Sequence, residues 1–445
     1  MSVNREILRL SVPSILANIT IPLVGLVDMT IAGHIADAAA IGGIAIGSVL
    51  FNILYWNFSF LRVGTSGVTA QAFGRQDWDE CNGQLKHAMK IALWGALGVL
   101  LIQWVFITVA LKLVPCSYEV AEQARKYFFI RVWAAPATLS LFALKGWFIG
   151  VQDTTSPMIT DLIVNTVNMF ASYFLAVHTP LGILGVAYGT VIAQFSGLIT
   201  AFILLIVRYQ SSFVQLFKPF IKPIVATAKM NRDLFYRSLC FMIVYTGYTV
   251  LSSKYGDEEL AISSLIMNIF MLVSFFIDGF AYAGEAMVGR HFGQCQVGVG
   301  KASDCYLLVL YLHSWCFGVA VLFALVFGWG GQELMTWLWP DVARAAADWN
   351  YLPWLIAMPL LSAMAFMWDG IYVGATATKE IRNAMIGSAV AFVVVYILCM
   401  NRMGIEAVLY AYFAHLIERD IYLTISWKRT YDRQIKTQTL ESNQE

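Results

Sequence analysis

Along the chain, apolar runs of about 20 residues or more alternate with short polar breaks, and each run is long enough to cross a hydrocarbon core of about 30 Å as a helix. Reading those runs against charged residues, Gly, Pro and Asn predicts spans over 7–34, 41–72, 85–111, 123–149, 157–178 and 184–207. A second set follows over 233–253, 259–289, 303–329, 350–374, 383–400 and 405–427. Between the sets, 208–232 carries Lys218, Lys222, Pro223 and Lys229 and reads as an internal linker. Runs such as Ala389 to Met400 are continuously apolar, which suits a helix and not the alternating strand of a barrel. The pattern predicts an all-α polytopic membrane protein of about twelve spans. Its expected divisions are 1–212 for a first bundle, 213–231 for a cytoplasmic linker, 232–430 for a second bundle and 431–445 for a polar tail. The first span holds Asn18, Pro22 and Asp28 and lacks a small-residue cleavage pattern, so it reads as a retained span and not a signal peptide.

The two sets of spans repeat one another where helices end. Phe73 and Gly74 close the second span as Phe292 and Gly293 close the eighth. Gly146 and Gly150 close the fourth as Gly370 and Gly374 close the tenth, at nearly the same offset. Six spans per half, an even number, gives both halves one orientation, a parallel repeat about an axis along the membrane normal. Most of the 29 Lys and Arg residues fall on the loops and tails that share a side with the N-terminus, and three, Arg62, Arg131 and Lys145, fall inside spans. By the positive-inside rule the expectation is a multi-pass protein of the cell inner membrane with both termini cytoplasmic.

Composition agrees with this picture and removes several functions. The chain is 59% hydrophobic and 13% charged, against roughly a quarter charged in soluble domains. A net charge of +1 gives no global basic field for nucleic acid. The seven cysteines lack CxxC spacing and the six histidines are dispersed, so no metal site or disulfide framework is indicated. Nucleotide-binding GxxxxGK[ST], HExxH and GxSxG patterns are absent, so neither ATP hydrolysis nor another enzymatic activity is expected, and no cofactor is implied.

Several stretches resemble the multidrug and toxic compound extrusion (MATE) family, specifically its DinF-like branch. They are Pro22 to Asp28 with Gly33 and His34, Gly67 to Gly74, Gly146 to Gln152, Asp278 to Glu285 and Asp369 to Thr376. The resemblance covers roughly residues 5–425. It implies two six-helix bundles, N and C lobes, in a V related by a pseudo-twofold parallel repeat. It also implies cation-coupled antiport of bulky amphipathic or cationic organic compounds out of the cytoplasm by alternating access. The chain is expected to act as a monomer in contact with membrane lipid.

Ionisable groups inside a bilayer cost about 2.5 to 3.5 kcal/mol each on insertion scales, so each needs a partner, water or a function. Asp28 lies about 21 residues into the first span, roughly 32 Å along a helix. Val24, Val27 and Ile31 surround it, and such neighbours disfavour the ionised carboxylate, which suits a proton carrier. Pro13 and Pro22 give the same helix two bending points. In the fifth span Asp161, Asn165, Asn168 and Ser172 share one face, and in the sixth Thr190 and Gln194 are one turn apart. The resemblance places these spans beside the first, so Asn165, Asn168 and Thr190 are expected to complete a coupling site with Asp28, helped by Asp161, Ser172 and Gln194. Relatives often carry an Asp where this chain has Ser172, which leaves Asp28 as the matched acid and weakens a sodium site, since sodium wants several oxygen ligands. The coupling ion is expected to be H+, with Na+ as the alternative. Asp278, Glu285 and Asp369 form a candidate second site or a structural ion-pair group with Arg62, Arg131 and Lys145 as counterions. Glu285 reads alternatively as an end-of-helix partner of Arg290. The 17 Met, 29 Phe and 14 Trp suit a cavity for varied hydrophobic shapes. The rival is a flippase for a lipid-linked substrate, which would want a basic cleft.

Overall fold

The computed structural model describes residues 2–35, 38–114, 116–218, 225–338 and 352–442, and every regular element among them is helical. The centre of the expected linker, 219–224, and the last three residues lie outside the described residues. The helices are α1 (Val3–Ile35), α2 (Ala38–Trp56), α3 (Phe60–Gly74), α4 (Trp78–Leu113), α5 (Tyr118–Arg131), α6 (Ala135–Gly150), α7 (Thr155–Val177) and α8 (Leu184–Arg208). Short α9 (Gln210–Gln215) follows, then α10 (Val225–Ser252), α11 (Asp257–Gln296), α12 (Ala302–Leu338), α13 (Leu352–Gly374), α14 (Thr378–Cys399) and α15 (Glu406–Ser442). Among the described residues, eleven stretches are long and apolar enough to cross a membrane. Helix α15 falls short because Glu418, Arg419 and Asp420 interrupt its apolar stretch, and it runs on as helix through 431–442.

Two spans expected to be single helices are broken. The second divides into α2 and α3 at 57–59, where the Asn57 amide donates 2.7 Å to the Ile53 carbonyl and competes with the backbone ladder. The fourth divides into α5 and α6 around a 3-10 turn at Val132–Ala134, with Pro136 in the first turn of α6, a position where its missing N–H costs nothing. Helix α1, by contrast, stays helical through Pro13 and Pro22.

Contacts group the chain into two units. One comprises Leu16–Thr69 and Asp77–Val225, the other Met1–Ile15, Ala70–Gln76 and Ala226–Glu445. Helix α1 changes unit between its two prolines. In the first unit α7 pairs with α8, α4 with α6 and α2 with α5; in the second α14 pairs with α15, and α13 with both α11 and α12.

The repeated glycines explain how each unit closes. A Cβ on Gly146 would strike the Arg62 backbone, and one on Gly150 would strike Thr69 and the Ser66 carbonyl, so α6 lies backbone to backbone on α3. In the other unit Gly370 sits on the Ala281 backbone and Gly374 on the Glu285 carbonyl, the same crossing made by α13 on α11. Gly74 and Gly293, the other repeated pair, meet directly: Gly74 abuts the Arg290 backbone and Gly293 the Gln71 carbonyl. Gln71 locks this crossing by donating 2.9 Å to the Gly374 carbonyl, and Glu6 accepts from Arg290 at 2.7 and 3.1 Å.

Substituting Gly150→Leu or Gly374→Leu is therefore expected to lower stability by about 1 to 3 kcal/mol or more through overpacking. Gly98→Leu, at a position where an added Cβ would meet nothing within 4 Å, is expected to stay within about 0.5 kcal/mol. Thermal unfolding of the purified variants in one detergent checks both.

Candidate functional site

The site forms where α1, α2 and α5 come together in the first unit. Glycines at 43 and 47 leave one face of α2 bare, and Gln123, Ala124 and Tyr127 of α5 fill it. That approach brings Arg131, one turn beyond Tyr127, against Ser48 and Phe51. The guanidinium donates to the Tyr127 hydroxyl at 3.0 Å and to the Ser48 hydroxyl at 3.4 Å. It also lies 4.8 Å from the centre of the Phe51 ring and 5.7 Å from that of Tyr127, a cation–π cradle.

Asp28 enters from α1. Its neighbours Val27 and Ile31 pack into the apolar cluster that contains Phe51, Tyr127 and Val132. Asp28 is half-buried, and its Oδ1 has no hydrogen-bond partner among the described residues. Asp28 and Tyr55 both lie within the electrostatic reach of Arg131 without an ion pair forming. A carboxyl so placed can take up and release a proton without first breaking a salt bridge.

The polar stripe on α7 bonds elsewhere. Asn165 donates to Thr20 of α1, two turns before Asp28. Asn168 donates 3.1 Å to Thr190 of α8, and Thr190 in turn donates 3.0 Å to the Val186 carbonyl. Ser172 donates 3.5 Å to that same carbonyl, and Asp161 pairs with Lys145 of α6. Gln194 is half-buried and bonds to none of the described residues. The stripe thus ties α7 to α8, α6 and α1, while no hydrogen bond joins it to Asp28.

For Asp369 the counterions differ from the expected Arg62, Arg131 and Lys145. Asp369 accepts from Arg237 of α10 at 2.5 Å and from Arg419 of α15 at 2.8 Å, and Arg419 is 1% exposed. Arg419 also donates 3.2 Å to the Ala365 carbonyl and stacks 5.4 Å over Phe366. Arg290 bonds Glu6, and Glu285 is buried against Gly374. Asp278 is half-buried on α11. Sequence reasoning missed Arg237, Arg419, buried His415 and the cradle of Arg131. Signals were present: three successive charges at 418–420 inside an apolar run, and glycines four apart on α2 facing the charged fourth span.

Long apolar helices, glycine crossings and charges held inside the bundles define a multi-pass helical membrane protein. The family model described as MatE matches residues 13–174. Over 437 residues the chain is 29% identical to DNA damage-inducible protein F of Escherichia coli K12, covering 96% of this chain and 93% of that one. It is 23% identical to multidrug resistance protein NorM of Aliivibrio fischeri over 71% of this chain and 70% of that one. A crystal structure of MATE in the bent conformation superposes with a TM-score of 0.84 at 16% identity, covering 99% of this chain and 98% of that one. The chain is thus similar to DNA damage-inducible protein F over nearly its whole length, matches the MatE model in its first half and shares the fold of the MATE structures.

Asp369→Asn is expected to destabilise the protein by about 3 to 5 kcal/mol by stranding two guanidinium groups. Adding Arg419→Gln to it should recover part of that loss. A double-mutant cycle in thermal unfolding measures the recovery, and additive losses would count against the pairing.

Proposed function

We propose that the chain exports amphipathic or cationic organic compounds by alternating access, as a proton-coupled antiporter of a cell inner membrane with both termini in the cytoplasm. Asp28 is the coupling group. The observation that carries this reading is a half-buried carboxyl with one oxygen lacking a hydrogen-bond partner among the described residues, seated on a helix that contains two prolines. The names of its relatives, multidrug resistance protein NorM and, in mouse, multidrug and toxin extrusion protein 1, support extrusion of organic compounds. Asn165 and the pair formed by Asn168 and Thr190 hold the neighbouring helices while Asp28 changes charge, and the first six spans act as the coupling lobe. Proton entry from outside removes the carboxylate charge, which reduces the attraction for a bound cation and lets the substrate leave. Sodium is less suited, because among the described residues Arg131 is the charged neighbour of Asp28 and no second carboxylate acts on it, whereas a sodium site wants several oxygen ligands.

Dye efflux from proteoliposomes under separately imposed proton and sodium gradients tests the reading. Asp28→Asn, which keeps the side-chain volume, is expected to lose proton-driven efflux by at least about tenfold, the usual scale for a removed proton-transfer group. Efflux at the wild-type rate would sink the assignment of Asp28, and dependence on sodium alone would sink proton coupling.

A further inference from the structure

The fourth span is interrupted where it carries its charge. Helix α5 stops at Arg131 and the 3-10 turn takes the chain to α6. Such a turn inside a span tends to mark a functional hinge, and non-helical backbone at membrane depth is tolerated where protein or a water-filled cavity covers it. Three other basic groups inside the bundles have acidic partners: Lys145 has Asp161, and Arg237 and Arg419 share Asp369. Arg131 is held instead by two hydroxyls and two aromatic faces, and among the described residues no carboxylate pairs with it.

The titratable and charged groups that the packed helices bring to this pocket are few. Helix α1 supplies Asp28, α2 supplies Tyr55, and α5 supplies Tyr127 and Arg131. Helix α6 has its Lys145 bonded to Asp161. A guanidinium stays protonated under all working conditions, so the charge of the pocket is decided by Asp28. With Asp28 ionised the two charges offset each other. With Asp28 protonated, one positive charge is left in a low-dielectric surrounding, where Coulomb forces between near groups are several-fold stronger than in water.

We propose that Arg131 is a specificity-determining residue, a fixed positive charge that ionised Asp28 offsets and protonated Asp28 leaves uncompensated, so that proton uptake repels lipophilic organic cations selectively over analogues without net charge. This rests on Asp28 being the coupling group. The aromatic cradle has a part in it. The buried rings of Phe51 and Tyr127 fix the guanidinium in place, and the hydroxyls of Ser48 and Tyr127 keep it from swinging away.

The test uses the full chain in nanodiscs and proteoliposomes with two dyes of similar ring system, rhodamine 6G as the cation and rhodamine B as the zwitterion. Fluorescence anisotropy at pH 8 and pH 5 gives the affinity of each dye, and an imposed proton gradient gives efflux. In the wild type, acidification is expected to weaken rhodamine 6G binding at least about tenfold more than rhodamine B binding. Arg131→Gln should bring that difference to within about twofold and slow proton-driven rhodamine 6G efflux, and Arg131→Lys, which keeps the charge, should restore both. If Arg131→Gln does not fold, Tyr127→Phe removes the 3.0 Å hydrogen bond that holds the guanidinium and should shift the difference the same way. A wild-type difference between the dyes in either neutralised or released variant overturns the proposal. Failure of the underlying reading looks different: Asp28→Asn would then keep both the acid-induced loss of affinity and the efflux.

Discussion

A bilayer gives helices no hydrophobic reason to associate, since lipid tails are as apolar as leucine, so close packing has to supply the attraction. In this protein the packing is concentrated at glycines. Helix α6 rests on α3 through Gly146 and Gly150, and α13 rests on α11 through Gly370 and Gly374, backbone against backbone in both cases. The fold depends on these crossings because they set how near the remaining side chains come. Glycines 43 and 47 do the same on a smaller scale, and without their bare face Tyr127 could not present Arg131 to Ser48 and Phe51.

The buried charges divide by what they are bonded to. Asp369 sits between Arg237 and Arg419, and Asp161 lies against Lys145; such groups hold helices in register and are costly to break. Asp28 and Arg131 sit close enough to feel one another and are not bonded. The contrast separates scaffold from machinery. A carboxylate clamped by two guanidinium groups is held in one charge state, whereas one that no ion pair holds can change state at little structural cost.

Much of the fold was legible in the sequence because hydrophobic length and glycine recurrence are properties of the line of residues. The spans and the parallel repeat needed nothing more; the offset between Gly146 and Gly370 marks equivalent helix crossings, while the glycines that follow Phe73 and Phe292 meet in a single crossing. The breaks at 57–59 and 132–134 were hidden, since Val132, Trp133 and Ala134 look as apolar as any helix. Partner choice was less legible still. Asp161 reads as part of a stripe with Asn165 and Asn168, yet its bond runs to Lys145 on α6, which depends on how two helices rotate. Arg419 lies inside the expected last span and is almost wholly enclosed against Asp369, the Ala365 carbonyl and Phe366, contacts set by how α15 packs on α13.

The interruption in the fourth span also bears on how the chain enters the membrane. Its two pieces are 14 and 16 residues long, and a helix needs about 20 apolar residues to cross. Together they form one stretch long enough to cross, Tyr118–Gly150, but the charge of Arg131 at the junction adds to the cost of insertion. Ser48 and Phe51 of α2 lower that cost by holding the guanidinium, so the segment enters more readily once α2 is in place. The order in which hairpins leave the translocation machinery is thus written into the same three-residue turn that shapes the pocket.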